Sequence, residues 1–391
     1  MRQVVIASAC RTPIGSFQGA LSSQTAPKLG ALVIQEAVKR AGITPEQVEE
    51  VFMGCVLTAG VGQAPARQAS IFAGLPNSTP CTTINKVCGS GLKSVMLGAL
   101  TIMTGEADIV VAGGMESMSN APYLLDKARS GYRMGDGKVV DSMVKDGLWD
   151  VYNDYHMGSA AELCARECHI PRDVQDEFAA TSYKRALEAI EKGYFQDEII
   201  PVPIKSKDGT VTYVAEDEEP SKVKFEKIPQ LRPAFEKDGT VTPANASKLN
   251  DGAAALVLMS EEKAKELGVK PLAKIVAQAS SAQAPEWFTI APATVIQKLF
   301  AKTGLNKEDI DLFEINEAFS VVSLAVRQLL DLDLQKVDVN GGAVALGHPI
   351  GASGARILTT LIYAMQKRSS RRGLAAICIG GGEAAGVIIE R

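Results

Sequence analysis

Three short stretches set a soft nucleophile or a base among glycines: Asn85-Lys86-Val87-Cys88-Gly89-Ser90-Gly91, Gly341-Gly342-Ala343-Val344-Ala345-Leu346-Gly347-His348-Pro349-Ile350-Gly351, and Cys378-Ile379-Gly380-Gly381-Gly382. Glycine lets a backbone run close to a ligand or take positive φ, so a Cys or His in such a setting is held at a bare surface. Cys88 precedes the helical run Gly91-Leu92-Lys93-Ser94-Val95-Met96. That puts it on a turn feeding a helix N-terminus, where the dipole favours a thiolate. A Cys nucleophile needs a base, and the chain holds three histidines, His156, His169 and His348. Pro349 stiffens the His348 loop and glycines clear space on both sides, so His348 is the candidate; a hydrogen-bonded loop residue is its bland alternative.

Cys378 follows a strand over 374–377 and precedes three glycines, so its thiol and the following N–H groups face one cavity; a buried Cys at a strand end is the competing use. Asn316, in Glu314-Ile315-Asn316-Glu317-Ala318-Phe319-Ser320, stands at a strand-to-helix junction where Asn also serves as an ordinary N-cap. A thiolate that attacks a carbonyl gives an acyl enzyme, with backbone donors for the oxyanion. A hydrolase needs one nucleophile and one base, whereas a second thiol suits a proton moved to or from carbon. The set points to C–C bond chemistry on acyl thioesters. Cys164, Cys168 and His169 form Cys-x3-Cys-His, but a structural zinc takes four ligands, and packing on an amphipathic helix accounts for the pair. Gly380-Gly381-Gly382 and Gly113-Gly114 lack the Lys-Ser/Thr of a phosphate loop.

These groups need a scaffold, and 391 residues suffice for two or three domains. Strand-like runs (4–9, 51–56, 82–85, 109–112) alternate with helical runs (28–40, 66–73, 91–103), which argues for α/β layers around a mainly parallel sheet. The pattern breaks at Gly113-Gly114 and resumes at Asn250-Asp251-Gly252 with a strand over 253–259, a helix over 261–267, a strand over 272–279, a helix over 293–303, a strand over 312–315 and a helix over 317–330. Between lies a turn-rich, charged segment with helices over 158–167 and 173–192. The glycine-opened helix and the strand after it recur at an offset of roughly 260 residues, implying two similar halves with a shared site. The expected domains are 1–118 with 250–269, an inserted loop domain over 119–249, and 270–391.

A net charge of −4 gives no sign of a nucleic-acid binder. Apolar runs break before the roughly 18 residues that span a bilayer, so no membrane role is expected. The N-terminus reads as a strand rather than a signal peptide, and seven scattered cysteines fit reduced thiols, so the expected location is cytoplasmic.

The three stretches, in this order, resemble those of the thiolases, and within that family the acetyl-CoA C-acetyltransferase branch; the likeness runs from Arg11-Thr12-Pro13-Ile14-Gly15 to the C-terminal glycine-rich strand. The resemblance implies two duplicated βαβαβαββ halves in a five-layered αβαβα arrangement with an inserted loop domain. It implies that Cys88 is acetylated, that His348 draws its proton, and that Cys378 exchanges a proton with the methyl of the second acetyl-CoA. Asn316 would hold a water that forms, with His348, an oxyanion hole for the enolate, and the N–H groups of Cys88 and Gly380 would form the other. The implied reaction is two acetyl-CoA to acetoacetyl-CoA plus CoA, reversible and ping-pong, with no metal or redox cofactor. Leu148, His156, Met157, Ala244, Ser247 and Leu249 match coenzyme A-contacting positions, and Met157 with Phe288 would line a short acyl pocket. The 220–230 stretch departs from relatives where they contact the nucleotide end, with Lys222 or Lys224 as substitutes. Tyr183, Ala244, Ala246 and Val344 match a potassium site in a potassium-responsive branch, with Pro243 in place of its Ala. The resemblance further implies a homotetramer, a dimer of dimers joined near residues 123–140. The alternatives are a degradative 3-ketoacyl-CoA thiolase of broader chain length and a non-catalytic protein that binds CoA esters.

Overall fold

The computed structural model describes residues 2–391. Ten of its strands form one hydrogen-bonded set, nine of them in the order Leu312–Ile315, Arg372–Ile379, Glu383–Glu390, Ala273–Ala282, Val4–Arg11, Asn250–Ser260, Ile109–Ser117, Glu50–Gly54 and Cys81–Ile84, with Gly15–Ser16 pairing beside Asn250–Ser260. The first four belong to the C-terminal half and the rest to the N-terminal half. The halves join through a short pairing, Val5 with Lys274 and Ile6 with Ala273. Asn250–Ser260 lies between Val4–Arg11 and Ile109–Ser117, so the chain returns from its insertion into the sheet it left.

Strand periodicity assigns the layers, because alternate side chains face opposite ways. Val110, Ala112, Leu256 and Leu258 face one core together with Leu92, Val95, Ile357, Leu361, Ile377 and Val387. Ile109, Val111, Val257 and Met259 face the other way, onto Leu29, Val33, Ile34 and Ala37 of helix Ala26–Arg40. In the C-terminal half Leu374, Ala376 and Ile388 face Val295, Ile296 and Leu299 of helix Ala291–Thr303. The result is helices, sheet, helices, sheet, helices, with Ser90–Thr104 and Ile350–Lys367 as the middle layer.

Those middle helices touch backbone to backbone. A Cβ on Gly91 would lie 2.7 Å from the Ala355 nitrogen, and one on Gly354 would lie 2.3 Å from the Leu92 nitrogen. On the neighbouring strand a Cβ on Gly114 would meet the Gly351 carbonyl oxygen at 2.1 Å.

The sheet is mixed rather than mainly parallel. Glu50–Gly54 pairs in parallel with Cys81–Ile84 and Ile109–Ser117, and Leu312–Ile315 with Arg372–Ile379; the other pairings are antiparallel. Alternation of strands and helices does not encode direction. The tight return at Gly381 (φ 90°) and Gly382 (φ 81°) joins the last two strands as an antiparallel hairpin. Strand Ile109–Ser117 also runs on through Gly113 and Gly114 instead of breaking there. Helix Ser320–Leu330 starts later than expected, because Glu317 turns inward to accept from the Ser182 hydroxyl at 2.7 Å and the Val344 N–H at 3.1 Å. One window, Val87–Thr104, does reach spanning length with mean hydropathy 1.4, and its helix is the middle layer, packed on both sheets.

The 119–249 segment carries helices Met157–Glu167 and Arg172–Glu191 and three two-stranded ribbons. Its later part is anchored by Arg11, fully buried, which forks onto Asp217 at 2.7 and 2.8 Å and reaches Glu198 at 2.6 Å.

Gly354→Ala should lower the unfolding free energy by about 1–3 kcal/mol through overpacking against the Leu92 backbone. A denaturant titration reads this as a reduced midpoint, and an unchanged midpoint would show that the middle layer has room to give.

Candidate active site

Cys88 stands on a strained turn. Val87 takes φ 45°, a left-handed conformation that a β-branched residue rarely adopts. Ser90 holds it there: its hydroxyl accepts from the Lys86 N–H at 2.8 Å and donates to the Val87 carbonyl at 2.6 Å. The Lys86 ammonium pairs with Glu383 at the start of the last strand, so the turn is tied to both halves. The Cys88 thiol does not fit the expected thiolate. Enclosure by protein pushes its pKa up to about 11, although the N–H groups of Gly380 and of Cys88 itself donate to the sulfur and pull the other way. Desolvation outweighs both of those bonds here.

His348 follows Gly347 (φ 110°), where a Cβ would lie 2.4 Å from Asn250 Oδ1. That same oxygen accepts the His348 N–H at 2.9 Å, while Asn250 Nδ2 donates to the Gly15 carbonyl at 2.9 Å. The ring's Nδ1 lies 2.7 Å from Ser353 Oγ, and Ser353 donates its single proton to the Pro349 carbonyl at 2.9 Å. The serine oxygen must therefore accept from Nδ1–H, which leaves Nε2 as the basic nitrogen. Nε2 is buried with no partner among the described residues. Burial, reinforced by the Arg356 charge, lowers the His348 pKa to about 3, so the ring is neutral at physiological pH.

Cys378 closes strand Arg372–Ile379, and its burial, with the neighbouring Cys88, pushes its pKa far above that of an ordinary thiol. Cys88, His348, Cys378 and Gly380 line one cavity of about 380 Å3. Leu148, His156, Met157, Ser247, Leu249 and Phe288 line it too. Most of these come from the insertion, and Met157 and Phe288 pack in one apolar cluster with Cys378. His156 caps helix Met157–Glu167, its Nδ1 accepting the Gly158 N–H at 3.0 Å, and its ring stacks on Phe235 at 4.8 Å.

Asn316 and Ala244 do not line the cavity. Ala244 is buried behind the wall, where its N–H reaches Thr242 Oγ1 at 3.3 Å. Asn316 is 1% exposed, and neither Oδ1 nor Nδ2 has a partner among the described residues. Such a residue retains capacity for a small hydrogen-bonding species. It is not a side-chain N-cap, since helix Ser320–Leu330 begins four positions later, after Phe319.

Sequence reasoning missed Glu116, Ser353 and Asn250. The Glu116 carboxyl accepts the N–H groups of Val56 (3.0 Å), Leu57 (3.2 Å) and Gly351 (3.0 Å), linking an N-terminal loop to the helix behind His348. A Glu in a glycine-rich strand was the available signal. The Cys164 sulfur, in an apolar cluster, lies 3.8 Å from that of Cys168, the residue that caps the C-terminus of helix Met157–Glu167.

Residues 4–262 match the thiolase N-terminal domain family and residues 269–391 the thiolase C-terminal domain family. The chain belongs to the thiolase family. A probable acetyl-CoA acetyltransferase of Dictyostelium discoideum is 54% identical over 391 residues, covering 100% of this chain and 94% of that protein. The acetyl-CoA acetyltransferase of Cupriavidus necator is 53% identical over 392 residues, covering 100% of both. The crystal structure of Acat5 thiolase from Ascaris suum in complex with coenzyme A superposes with a TM-score of 0.95 at 46% identity, covering 100% of both chains. The thiolase fold is thus the architecture of this chain.

The electrostatics of this thiolase make a testable claim about its nucleophile. With His348 neutral down to about pH 3 and the Cys88 pKa raised to about 11, there is no preformed thiolate–imidazolium pair to titrate. Iodoacetamide labelling of Cys88 should therefore rise about tenfold per pH unit between about pH 6 and 9, following the thiolate fraction. A plateau across that range would reveal a thiolate already formed.

Proposed function

We propose that this thiolase is an acetyl-CoA C-acetyltransferase, joining two acetyl-CoA molecules into acetoacetyl-CoA and CoA through acetyl-Cys88. The observation that carries the reading is the convergence of two thiols, one neutral imidazole nitrogen and the Gly380 N–H on a single apolar cavity. In the first half-reaction Nε2 of His348 takes the Cys88 proton as sulfur attacks the thioester carbonyl. The N–H groups of Cys88 and Gly380, already aimed at that sulfur, receive the oxyanion. The departing CoA thiolate takes the proton of Cys378. The cavity then holds a Cys378 thiolate and a His348 imidazolium, a pair that is neutral overall and so tolerates burial.

In the second half-reaction a Cys378 thiolate, strongly basic because it is buried, removes a methyl proton from the incoming acetyl-CoA. Nε2–H of His348 and a water on Asn316 hold the enolate oxygen. The enolate carbon attacks acetyl-Cys88, the C–S bond breaks, and the Cys88 sulfur recovers its proton from His348. Protons and electron pairs balance over the cycle, with acyl and proton transfers among groups that the chain and its substrates supply. Met157 and Phe288, 8% and 3% exposed, narrow the acyl end and favour acetyl and acetoacetyl groups. Coenzyme A would lie against Leu148, His156, Ser247 and Leu249. Exposed apolar side chains at Tyr123, Leu125, Met134 and Val139 support a tetramer built through that segment. Seven free thiols among the described residues suit a reducing, cytoplasmic location.

Cys378→Ser should leave acetylation of Cys88 by acetyl-CoA within about tenfold while cutting condensation by about 10² to 10⁴-fold, the range of one general acid–base group. Rapid-quench detection of the acetyl enzyme beside steady-state turnover separates the two, and equal losses in both would remove Cys378 from the carbon-acid step.

A further inference from the structure

The wall between the cavity and the His348 loop carries a charge that acyl transfer does not use. Lys248 lines the cavity together with its neighbours Ser247 and Leu249. Its Nζ donates to the Val344 carbonyl at 2.7 Å, to the Ala246 carbonyl at 3.1 Å and to the Tyr183 hydroxyl. The Tyr183 ring also faces the ammonium, 4.8 Å from Nζ to its centroid. No carboxylate pairs directly with Lys248 among the described residues; Glu219 and Glu317 act on it only at longer range. A lysine near a surface ordinarily sends its ammonium to water or to a carboxylate. Here it is drawn inward to neutral oxygens.

Neutral carbonyl and phenol oxygens without a carboxylate are poor ligands for a divalent ion, which calls for anionic oxygens. They suit a single positive charge. The three accepting oxygens also come from three separate parts of the site. Val344 is in the short helix Ala343–Leu346 that leads to His348, Tyr183 is on helix Arg172–Glu191, and Ala246 bridges Phe319 beside the cavity. We propose that Lys248 is a built-in monovalent cation that clamps these three segments, positions the His348 loop against the coenzyme-facing wall, and takes the place of the potassium ion that the family resemblance implies near Tyr183, Ala244, Ala246 and Val344. Truncating the side chain would leave the same oxygens around a space for a potassium or ammonium ion.

Thermal melts and acetoacetyl-CoA thiolysis are compared in choline, sodium, potassium and ammonium chloride at equal ionic strength, for the wild type, Lys248→Ala and Lys248→Met. The wild type should melt and turn over alike in all four salts. In choline, Lys248→Ala should melt lower and lose about ten- to a hundredfold in kcat/KM, the scale of a slightly misplaced base. Potassium or ammonium should recover both readouts. Lys248→Met keeps the bulk without the charge, so it should show the loss with no recovery. The proposal is overturned if potassium activates the wild type, if Lys248→Ala is unimpaired in choline, or if no cation restores it. Recovery of the melt without turnover would likewise end the positioning role. The turnover arm rests on the acyltransferase reading; a wild type inactive on acetoacetyl-CoA would count against that reading, while the melts would still decide the cation site.

Discussion

The contact on which the rest of the structure depends is the one between the N-terminal turns of helices Ser90–Thr104 and Ile350–Lys367. At Gly91 and Gly354 the two backbones meet with no side chain between them. Cys88 lies just before the first helix and His348 just before the second, so bringing the helix starts together brings the nucleophile to its base. A single methyl group in that seam would displace both. Gly351 extends the constraint, lying against Gly54 and Gly114 of the N-terminal sheet while its N–H is held by Glu116.

Burial then sets the protonation states. His348 stays neutral, Cys88 and Cys378 keep their protons, and Glu116 is pushed up to about 7. A low-dielectric site favours neutral forms at rest and makes each ion formed during turnover reactive. The groups that titrate abnormally also affect stability with opposite signs. His348 resists protonation when folded, so its contribution is lost as pH falls from about 6.5 towards 3. Glu116 holds its proton longer folded than unfolded, so its contribution is lost as pH rises from about 4.5 through 7.

Much of the site was legible because glycine marks it. Cys88, His348 and Cys378 stand in stretches whose composition makes sense only where backbone approaches something closely, and the structure brings all three to one cavity. The duplication was legible from repeated helix starts. Strand direction was not, because a run such as 109–117 reads the same beside a parallel or an antiparallel neighbour. Glu116, Asn250 and Lys248 escaped notice because their roles arise from partners far along the chain, up to 235 residues for Glu116 and Gly351, and Ser353 because its hydroxyl reads as an ordinary helix residue until the His348 ring is seen to fold back onto it. The helix start just after Cys88 was legible as a local feature, whereas the desolvation that keeps the thiol protonated depends on the folded surroundings.

The chemistry turns on Cys88 carrying an acyl group in a pocket built for a short chain. Peptide mass spectrometry after brief incubation with acetyl-CoA or octanoyl-CoA and an acid quench tests this directly. One acetyl adduct on Cys88, with little octanoyl labelling, is the expected result. An acetyl group on another residue, no adduct from either thioester, or octanoyl labelling equal to acetyl would contradict it.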